Sequence, residues 1–343
     1  MKLATEQTGV RRSMVLRHRP TGEPGPEDFA MVESPLPAPA HGEVLTRTVW
    51  LSIDPYMRGR LYDRPSYVPP VQIGATMEGE TVGEVVASAA PGFVPGDYVV
   101  GSRGWETHTI SPAGALTKID PSGARLSAYL GVLGMPGVTA YSGMTDIGQV
   151  KPGETMVVSA ASGPVGSVAG QLAKRAGARV VGIAGGSEKC LWVQETLGFD
   201  DCIDHRAQNI AAALRDACPK GIDVYWENVG GAVQTAVFGQ LNTFARVVMC
   251  GMVAQYNDAK PPPGPNLAFV VGKRVRIEGL IVFDKPYRYA EWRALAAPWV
   301  ADGSLKFRET VVDGLENAPA ALADVLRGGN FGKMLVQVGP ERL

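Results

Sequence analysis

Cysteine and histidine are scarce in this sequence, which contains four of each in 343 residues. The cysteines form no C-x-x-C pair, which argues against a zinc knuckle and against a redox dithiol. No histidine completes a metal-ligand cluster with them, so the sequence predicts no metal site. We interpret the cysteines as buried, inert thiols. They are Cys190, Cys202, Cys218 and Cys250.

The chain also lacks an excess of charge and a long apolar run. Its net charge of −1 gives no support for binding to nucleic acid or to an acidic membrane. No apolar stretch approaches the roughly 18 residues of a membrane span. The N-terminal residues MKLATEQTGVRRS contain no signal-peptide core. We therefore expect a cytoplasmic protein with neither a nucleic acid nor a membrane as its partner.

Glycine and proline divide the first 130 residues into short predicted strands. This punctuation is typical of a β-barrel with long loops. The predicted strands are Ser13–Arg17, Glu43–Ile53, Met77–Ser88, Asp97–Ser102 and Trp105–Ile110.

From Lys151 the pattern changes to strands alternating with helices, which predicts a doubly wound parallel sheet. The six predicted strands are Met156–Val158, Ala178–Ala184, Asp201–Asp204, Asp223–Val229, Ala245–Gly251 and Arg276–Phe283. A stiff proline-rich loop occupies residues 261–265. After a helix over Pro319–Arg327, Lys333–Val338 is predicted to pair with the N-terminal barrel. The predicted domains are 1–132 with 310–343, the barrel, and 133–309, the nucleotide-binding domain.

The most informative segment is Glu154–Lys174, where an apolar run ends in a glycine turn and continues as a helical pattern. A helix that begins at such a turn presents unpaired N–H groups and the positive end of its dipole, which together bind a pyrophosphate. The turn departs from G-x-G-x-x-G because Ala161 replaces the first glycine, and such a turn alone more often binds nothing. Its candidate ligands are Gly163, Pro164, Val165 and Gly166.

The end of the second predicted strand distinguishes NADP(H) from NAD(H). An NAD site has an acidic residue there for the ribose 2′-hydroxyl. Here the strand ends in small residues, and Ser187 and Lys189 follow, which favours a 2′-phosphate. Glu188 argues against this interpretation, although a glutamate in the first turn also suits a helix N-terminus.

Motifs from the first barrel strands to the C-terminus carry a family resemblance. They are LSIDPYMRGR (51–60), LGVLGMPGVTAY (130–141), YWENVGG (225–231), CGMVAQYN (250–257), DGLENAPAAL (313–322) and GGNFGK (328–333). They resemble the medium-chain dehydrogenase/reductase superfamily, in the zinc-independent branch of leukotriene B4 12-hydroxydehydrogenase/prostaglandin reductases, plant alkenal double-bond reductases and bacterial NADPH-dependent curcumin reductases. The resemblance implies an α/β protein with a GroES-like β-barrel catalytic domain plus a doubly wound parallel Rossmann sheet.

The same resemblance implies NADPH-dependent reduction of the C=C bond of an α,β-unsaturated ketone or aldehyde, without a metal. Zinc-dependent relatives place a histidine–glutamate pair in the barrel, whereas the corresponding segment here is Met77-Glu78-Gly79-Glu80. A homodimer is also implied, formed through the edge of the nucleotide sheet near Leu280–Phe283.

Two tyrosines are the candidate catalytic residues. Tyr256 follows the fifth strand of the nucleotide sheet, where ligands collect in this fold, and its phenol would donate a hydrogen bond to the developing enolate. The alternative is a tyrosine that anchors its loop to the backbone. Tyr56 would line the substrate mouth, and on the residues alone a turn-capping aromatic is nearly as good an interpretation. No general acid for the α-carbon is evident.

The remaining cofactor contacts are proposed position by position. His205 replaces a tyrosine that the mammalian members have, so it stacks on the adenine, reaches the phosphate, or is a surface histidine. Asn330 would reach the phosphates, or it caps a helix. The other candidates lie at strand ends and are Asn228, Cys250, Gly251, Met252 and Phe283.

Two other functions remain open at the level of the sequence. A quinone oxidoreductase would have the same metal-free barrel and cofactor site. A non-catalytic nucleotide-binding protein, structural or sensory, would keep the phosphate turn, but the intact Tyr256 argues against it.

Overall fold

The computed structural model describes residues 9–260 and 262–342. The N-terminal residues 1–8 and Pro261 of the proline-rich loop, both part of the sequence predictions, lie outside the described residues. The chain forms two compact units. The first contains the described residues of Met1–Leu130, Thr310–Val325 and Met334–Leu343, and the second contains those of Gly131–Glu309 and Leu326–Lys333.

The first unit begins with seven strands and one short helix. The strands are β1 (Val10–Leu16), β2 (Phe29–Pro35), β3 (Glu43–Ser52), β4 (Glu80–Ser88), β5 (Tyr98–Arg103), β6 (His108–Pro112) and β7 (Thr117–Ile119). Helix α1 (Met57–Arg60) follows β3. β1 and β2 form an antiparallel ribbon, and the other strands pair in an antiparallel sheet.

Strand β3 is the centre of that sheet, since it pairs with both β4 and β6. Every β3 residue after Glu43 is buried, as expected for a strand covered on both faces. β2 and β7 were missing from the sequence prediction. β2 ends in a proline and alternates little, and β7 has only three residues, so neither gives a strand pattern.

The second unit contains six parallel strands. They are β8 (Thr155–Ser159), β9 (Arg179–Ala184), β10 (Asp201–Asp204), β11 (Ile222–Glu227), β12 (Leu241–Met249) and β13 (Arg276–Gly279). The helices are α2 (Met135–Gly143), α3 (Pro164–Arg175), α4 (Ser187–Glu195), α5 (Ile210–Ala217), α6 (Gly231–Phe238), α7 (Ala268–Lys273) and α8 (Arg288–Ala301). The strand order β10-β9-β8-β11-β12-β13 confirms the predicted doubly wound sheet.

A continuous core fixes the positions of the strand ends in this sheet. Buried apolar side chains of the central strands pack against α5 and α6. The strand residues include Val157, Val181, Tyr225 and Val247, and the helix residues include Leu214 on α5 and Val237 on α6. Because such cores are packed as densely as organic crystals, the loops that leave the strands start from fixed points.

The predicted sixth strand, Arg276–Phe283, is wrong in its extent. β13 ends at Gly279, which pairs with the last β12 residue, Met249. The Leu280 N–H still donates to the Met249 oxygen at 3.0 Å, but beyond Met249 the chain turns away to contact β11, so β12 offers no partner to the residues after Leu280. Phe283 therefore does not end a strand; it lies in a 3-10 turn over Val282–Asp284, and 38% of its surface is exposed.

The last elements are β14 (Glu309–Asp313), α9 (Ala318–Leu326) and β15 (Lys333–Gln337). β15 pairs antiparallel with β3, with Leu335 opposite Ser52, which confirms the predicted return of the C-terminal strand to the first unit. In the part of the chain that the structure describes, no helix is both long and apolar enough to cross a membrane.

Candidate active site and cofactor cradle

The turn between β8 and α3 has the shape expected of an anion-binding helix N-terminus. Ala160 has a positive φ of 49°, and α3 begins at Pro164 with Gly163 as its N-cap. In the first turn, the N–H groups of Val165 and Gly166 have no carbonyl one turn earlier to bind. A Cβ at Gly166 would lie 2.5 Å from the Ala160 carbonyl oxygen, so only glycine fits there. The four predicted residues thus share one helix end.

The tip of β9 leads into α4 through two glycines. Gly186 has a φ of 101° and is the N-cap of α4, which begins at the exposed Ser187. Lys189, in the first turn, donates from Nζ to the main-chain oxygens of Gly328 at 2.8 Å and Asn330 at 2.7 Å. Lys189 therefore fastens α4 to the segment 328–330, an arrangement that the sequence did not predict.

Two basic side chains lie against the tip of β9. A Cβ at Gly185 would lie 2.9 Å from His205 Nε2 and 2.9 Å from Arg206 Nε. Asp204 holds this arrangement, because its Oδ1 accepts from the N–H groups of Gly186 at 2.9 Å and Arg206 at 3.0 Å. Burial and the neighbouring Arg206 charge lower the pKa of His205, so its ring is neutral at pH 7.

Arg206 was missed by the sequence analysis. The only signal was a basic residue one position beyond the His205 site, and an arginine in a loop is usually a solvated surface residue. Glu188, the residue that argued against a phosphate, lies 3.8 Å from Arg308 and so has a basic partner of its own.

The segment around Asn330 lies beside the phosphate turn. The Gly332 N–H donates to the carbonyl oxygen of Ser162 at 3.1 Å. The Asn330 side chain donates from Nδ2 to the Gly332 oxygen at 2.6 Å. Asn330 lies beyond the end of α9 at Leu326, so it is not the residue that caps that helix.

A buried polar network occupies the point where the strand order reverses, between β8 and β11. Asn228 donates from Nδ2 to the Ser159 carbonyl oxygen at 2.7 Å, and its Oδ1 accepts from Trp226 Nε1 at 3.1 Å. The predicted cofactor ligand Asn228 thus already bonds both neighbouring strands. Glu227, which the sequence analysis did not single out, is fully buried and bonds Ser159 at 3.0 Å.

The loop after β12 carries the tyrosine predicted as the donor. The N–H groups of Cys250 and Gly251 donate to the Glu227 carbonyl oxygen at 2.9 and 3.0 Å. The Met252 N–H donates to the hydroxyl oxygen of Tyr256 at 3.3 Å, which is the backbone contact expected of the loop-anchoring alternative. Burial, with a contribution from the nearby Glu227, raises the pKa of the Cys250 thiol to about 12, so it is not a thiolate at neutral pH.

Tyr56 lies in the first unit, immediately before α1. It is half-buried, and the guanidinium of the buried Arg60 lies 5.3 Å from its ring centroid. Arg60 also lies 4.8 Å from the Tyr67 ring and 3.4 Å from Glu78. Tyr56 therefore belongs to a cluster of aromatic and basic side chains.

Within residues 9–260 and 262–342, no group of three or more His, Cys, Asp or Glu side chains is placed to hold a metal ion. The buried Cys190, Cys202 and Cys218 are free thiols. Burial raises the pKa of Cys218 to about 11, which fits a thiol that stays protonated.

Comparisons with known proteins cover almost the whole chain. Residues 12–119 match a family described as the N-terminal domain of oxidoreductase, and residues 164–302 match one described as zinc-binding dehydrogenase. The NADPH-dependent curcumin reductase of Escherichia coli K12 is 49% identical over 97% of this chain and 98% of its own length. The NADP(+)-dependent 2-alkenal reductase of Nicotiana tabacum is 39% identical over 96% and 98%.

A solved structure gives the same result. The crystal structure of CurA from Vibrio vulnificus in complex with NADPH is 47% identical and covers 96% of this chain and 100% of that one. Its TM-score to this structure is 0.92.

Proposed function

The chain belongs to the medium-chain dehydrogenase/reductase superfamily, in the branch of the curcumin, alkenal and prostaglandin reductases, and we propose that it reduces the C=C bond of α,β-unsaturated ketones and aldehydes with NADPH. One observation carries this proposal furthest. The main chain of Met252 holds the hydroxyl of Tyr256 at the carboxyl end of β12, the edge of the sheet where α3 also begins.

The residues of the second unit fit a dinucleotide with a 2′-phosphate. The first turn of α3 supplies two N–H groups to a pyrophosphate, and Gly163 and Gly166 let it approach the backbone. At the tip of β9, Ser187 lies at a helix N-terminus and His205 and Arg206 lie against Gly185. Lys189 interacts electrostatically with His205. In NADP sites a basic side chain takes the place of the acid that would bind the ribose 2′-hydroxyl.

The other residues proposed to contact NADPH lie on loops at the same edge of the sheet or beside it. Asn228 and Cys250–Met252 follow β11 and β12, and Asn330 lies on the segment that bonds the phosphate turn. For Phe283 the proposal now rests on a 3-10 turn rather than on a strand end. These are Asn228, Cys250, Gly251, Met252, Phe283 and Asn330.

When bound, NADPH would supply a hydride; on an enone this hydride would add to the β-carbon, the C=C π bond would break, and its electron pair would move to the carbonyl oxygen as an enolate. Tyr256 would stabilise that charge. Its oxygen accepts from the Met252 N–H, which holds the phenol in place, and a phenol at neutral pH keeps the O–H that a donor to the enolate needs. A donor held in place before the charge develops is worth far more than one that must reorient.

Tyr56 is proposed to line the substrate mouth. Its contact with Arg60 fixes the ring, and a rigid aromatic wall suits a flat conjugated acceptor. We identify no acid for the α-carbon among residues 9–260 and 262–342, so we propose that solvent delivers that proton.

The test is the loss of NADPH absorbance with purified protein against trans-2-alkenals, a benzylidene ketone, a curcuminoid, a quinone and a saturated aldehyde, with NADH in parallel. We expect turnover of the enones and enals with NADPH and none of the saturated aldehyde. Product analysis should show the saturated ketone, with the hydride at the β-carbon when deuterated NADPH is used.

The panel also separates the alternatives. A preference for the quinone would indicate an NADPH quinone oxidoreductase. NADPH binding without oxidation by any acceptor would indicate a non-catalytic protein. Equal rates with NADH and NADPH would contradict the proposed 2′-phosphate site.

We propose in addition that two copies of the chain associate through the edge of the nucleotide sheet. β13 pairs only with β12 in the described sheet, and all four of its residues are exposed. An unpaired strand edge is a surface on which a second copy can add its own strand. Light scattering of the purified protein measures its mass, which distinguishes a dimer from a monomer.

A further inference from the structure

We infer that Glu227 is a positioning residue: its carboxyl group fixes the turn 228–230, and that turn fixes the segment 250–256 that carries Tyr256. The inference rests on the proposed function in one respect, namely that Tyr256 is the donor. The motif YWENVGG (225–231) contains Glu227, but no role was predicted for this residue from the sequence, because a glutamate at a strand end is ordinarily a solvated residue.

The carboxyl group of Glu227 accepts hydrogen bonds from three donors. Glu227 is the last residue of β11 and is 0% exposed. Its Oε1 accepts from the Val229 N–H at 2.6 Å and the Gly230 N–H at 3.0 Å. It also accepts from the Ser159 hydroxyl at the end of β8. One oxygen thus joins the ends of two strands to the turn that begins α6.

The turn 228–230 is next to the segment that leads to Tyr256. The segment 250–254 is bonded to residues 227–229 by main-chain hydrogen bonds. Besides Cys250 and Gly251, Val253 donates to the Asn228 oxygen at 3.0 Å and Ala254 to the Val229 oxygen at 2.9 Å. A Cβ at Gly230 would lie 3.2 Å from the Met252 side chain, so the turn and the segment are also in van der Waals contact.

The Tyr256 hydroxyl lies against the main chain of Gly251 and Met252. Met252 donates to Tyr256, and a Cβ at Gly251 would lie 3.1 Å from the Tyr256 hydroxyl oxygen. The main chain of 251–252 therefore sets where this oxygen lies. A shift of the turn 228–230 moves that main chain, and misplacement of a catalytic group by about 1 Å costs on the order of a hundredfold in rate.

The second carboxyl oxygen of Glu227, Oε2, is also buried. Both this oxygen and the hydroxyl of Tyr225 are buried, and the Tyr225 hydroxyl interacts with the Glu227 side chain. Burial raises the pKa of Glu227, so the group tends to keep a proton. A buried acid is costly unless it is hydrogen-bonded, and Oε1 accepts three hydrogen bonds that an apolar side chain could not accept.

The experiment compares Glu227→Ala, Glu227→Gln and Val224→Ala in the full chain. The glutamine keeps an acceptor oxygen for the same three donors. Val224 is fully buried on the same strand but takes no part in the network, so it reports what loss of β11 packing does alone. The first readout is amide hydrogen exchange of the peptides covering 226–232 and 250–256, which needs no substrate.

We expect Glu227→Ala to speed exchange in 250–256 by at least about tenfold, and Glu227→Gln to stay within about threefold of the wild type. With the best enone, kcat should fall by at least about tenfold in Glu227→Ala at saturating NADPH, and remain near wild type in the other two variants. Val224→Ala should lower the Tm without a selective effect on 250–256.

Equal protection of 250–256 in wild type and Glu227→Ala, or the same selective loss in Val224→Ala, would overturn the inference. A failure of Glu227→Gln to restore protection would do so too. Failure of the proposed function is a separate outcome: the wild type would then reduce no enone, while the exchange data would still decide the role of Glu227.

Discussion

The Nζ of Lys189 donates to the main-chain oxygen of Asn330 at 2.7 Å. Both residues were predicted from the sequence as ligands of the cofactor phosphates, one on α4 and one on the C-terminal segment. In the structure they bond each other, so the lysine has a structural task in addition to any contact with a phosphate. Arg206, which lies against Gly185, is then the side chain whose charge is more selectively available to a 2′-phosphate.

These different roles of Arg206 and Lys189 predict different effects on cofactor binding. Arg206→Gln should raise the Kd for NADPH about tenfold and leave the Kd for NADH unchanged, because only NADPH carries the 2′-phosphate charge. The difference should shrink at high salt, since this arginine is exposed. Lys189→Met should raise the Kd for both NADPH and NADH, because it also removes the hydrogen bonds to Gly328 and Asn330. Cofactor fluorescence titration gives the constants.

Arg215→Gln is the control for Arg206, because Arg215 is an exposed arginine on α5. It should leave both constants unchanged. An equal loss of NADH affinity in Arg206→Gln would show that the arginine acts on the fold of the loop rather than on the phosphate.

The phosphate turn makes its own prediction. Gly166→Ala should destabilise the protein by about 1–3 kcal/mol, because the new Cβ would lie 2.5 Å from the Ala160 carbonyl oxygen and the backbone must move. NADPH affinity should fall at least about tenfold, since the same movement displaces the N–H groups at the start of α3. Thermal unfolding and the fluorescence titration measure the two effects.

Gly272→Ala provides the matched comparison. Gly272 lies in α7, and a Cβ there would meet no atom within 4 Å. Alanine is the better helix former by about 1 kcal/mol, so stability should stay equal or rise. Wild-type affinity in Gly166→Ala would contradict the assignment of this turn to the pyrophosphate.

Tyr256→Phe tests the proposed donor. Removing the hydroxyl should lower kcat on the best enone by about a hundredfold, the usual cost of losing one donor to a developing oxyanion. The Kd for NADPH should change less than about threefold, because the ring remains in the loop. Tyr129→Phe, which removes a hydroxyl bonded to the Asp120 carbonyl oxygen in the first unit, should leave kcat unchanged. Full kcat in Tyr256→Phe would exclude this tyrosine as the donor.

The extent to which the sequence predicted this structure follows from the kind of signal each element gives. Parallel strands buried on both faces read as apolar runs, so β8 to β12 were located within a few residues. The length of β13 was not predictable. Leu280–Phe283 is apolar enough for a strand, but whether it pairs depends on where β12 ends, which is a property of the sheet and not of the segment.

The candidate site divides in the same way. Gly163–Gly166 were identifiable because a glycine turn at a helix start is a local pattern. Arg206 and Glu227 were not, since their importance comes from partners distant in sequence. Glu227 bonds Ser159 and Arg206 lies against Gly185, and neither proximity is encoded in spacing along the chain. Lys189 was identified as a cationic residue, but its carbonyl partners at 328 and 330 required the fold.

The raised pKa of Glu227 predicts a pH dependence of stability. An unfolded glutamate releases its proton near the ordinary value of 4.5, whereas burial keeps Glu227 protonated to a higher pH in the folded protein. Between those two values the folded state binds more protons, so the free energy of unfolding falls as the pH rises. Tyr225 and Cys250, the titratable groups that interact with Glu227, have raised pKa values and do not titrate in this window.

Glu227→Gln removes this contribution. The free energy of unfolding of the wild type minus that of Glu227→Gln should therefore decline from pH 4.5 upward and become constant once the pH exceeds the folded-state pKa of Glu227. Guanidinium unfolding of both proteins across pH 4.5 to 8 measures the difference, and the wild type's other titrations cancel in it. A difference that rises with pH would mean that the carboxylate is the favoured form, held by the Val229 and Gly230 N–H groups strongly enough to outweigh its burial.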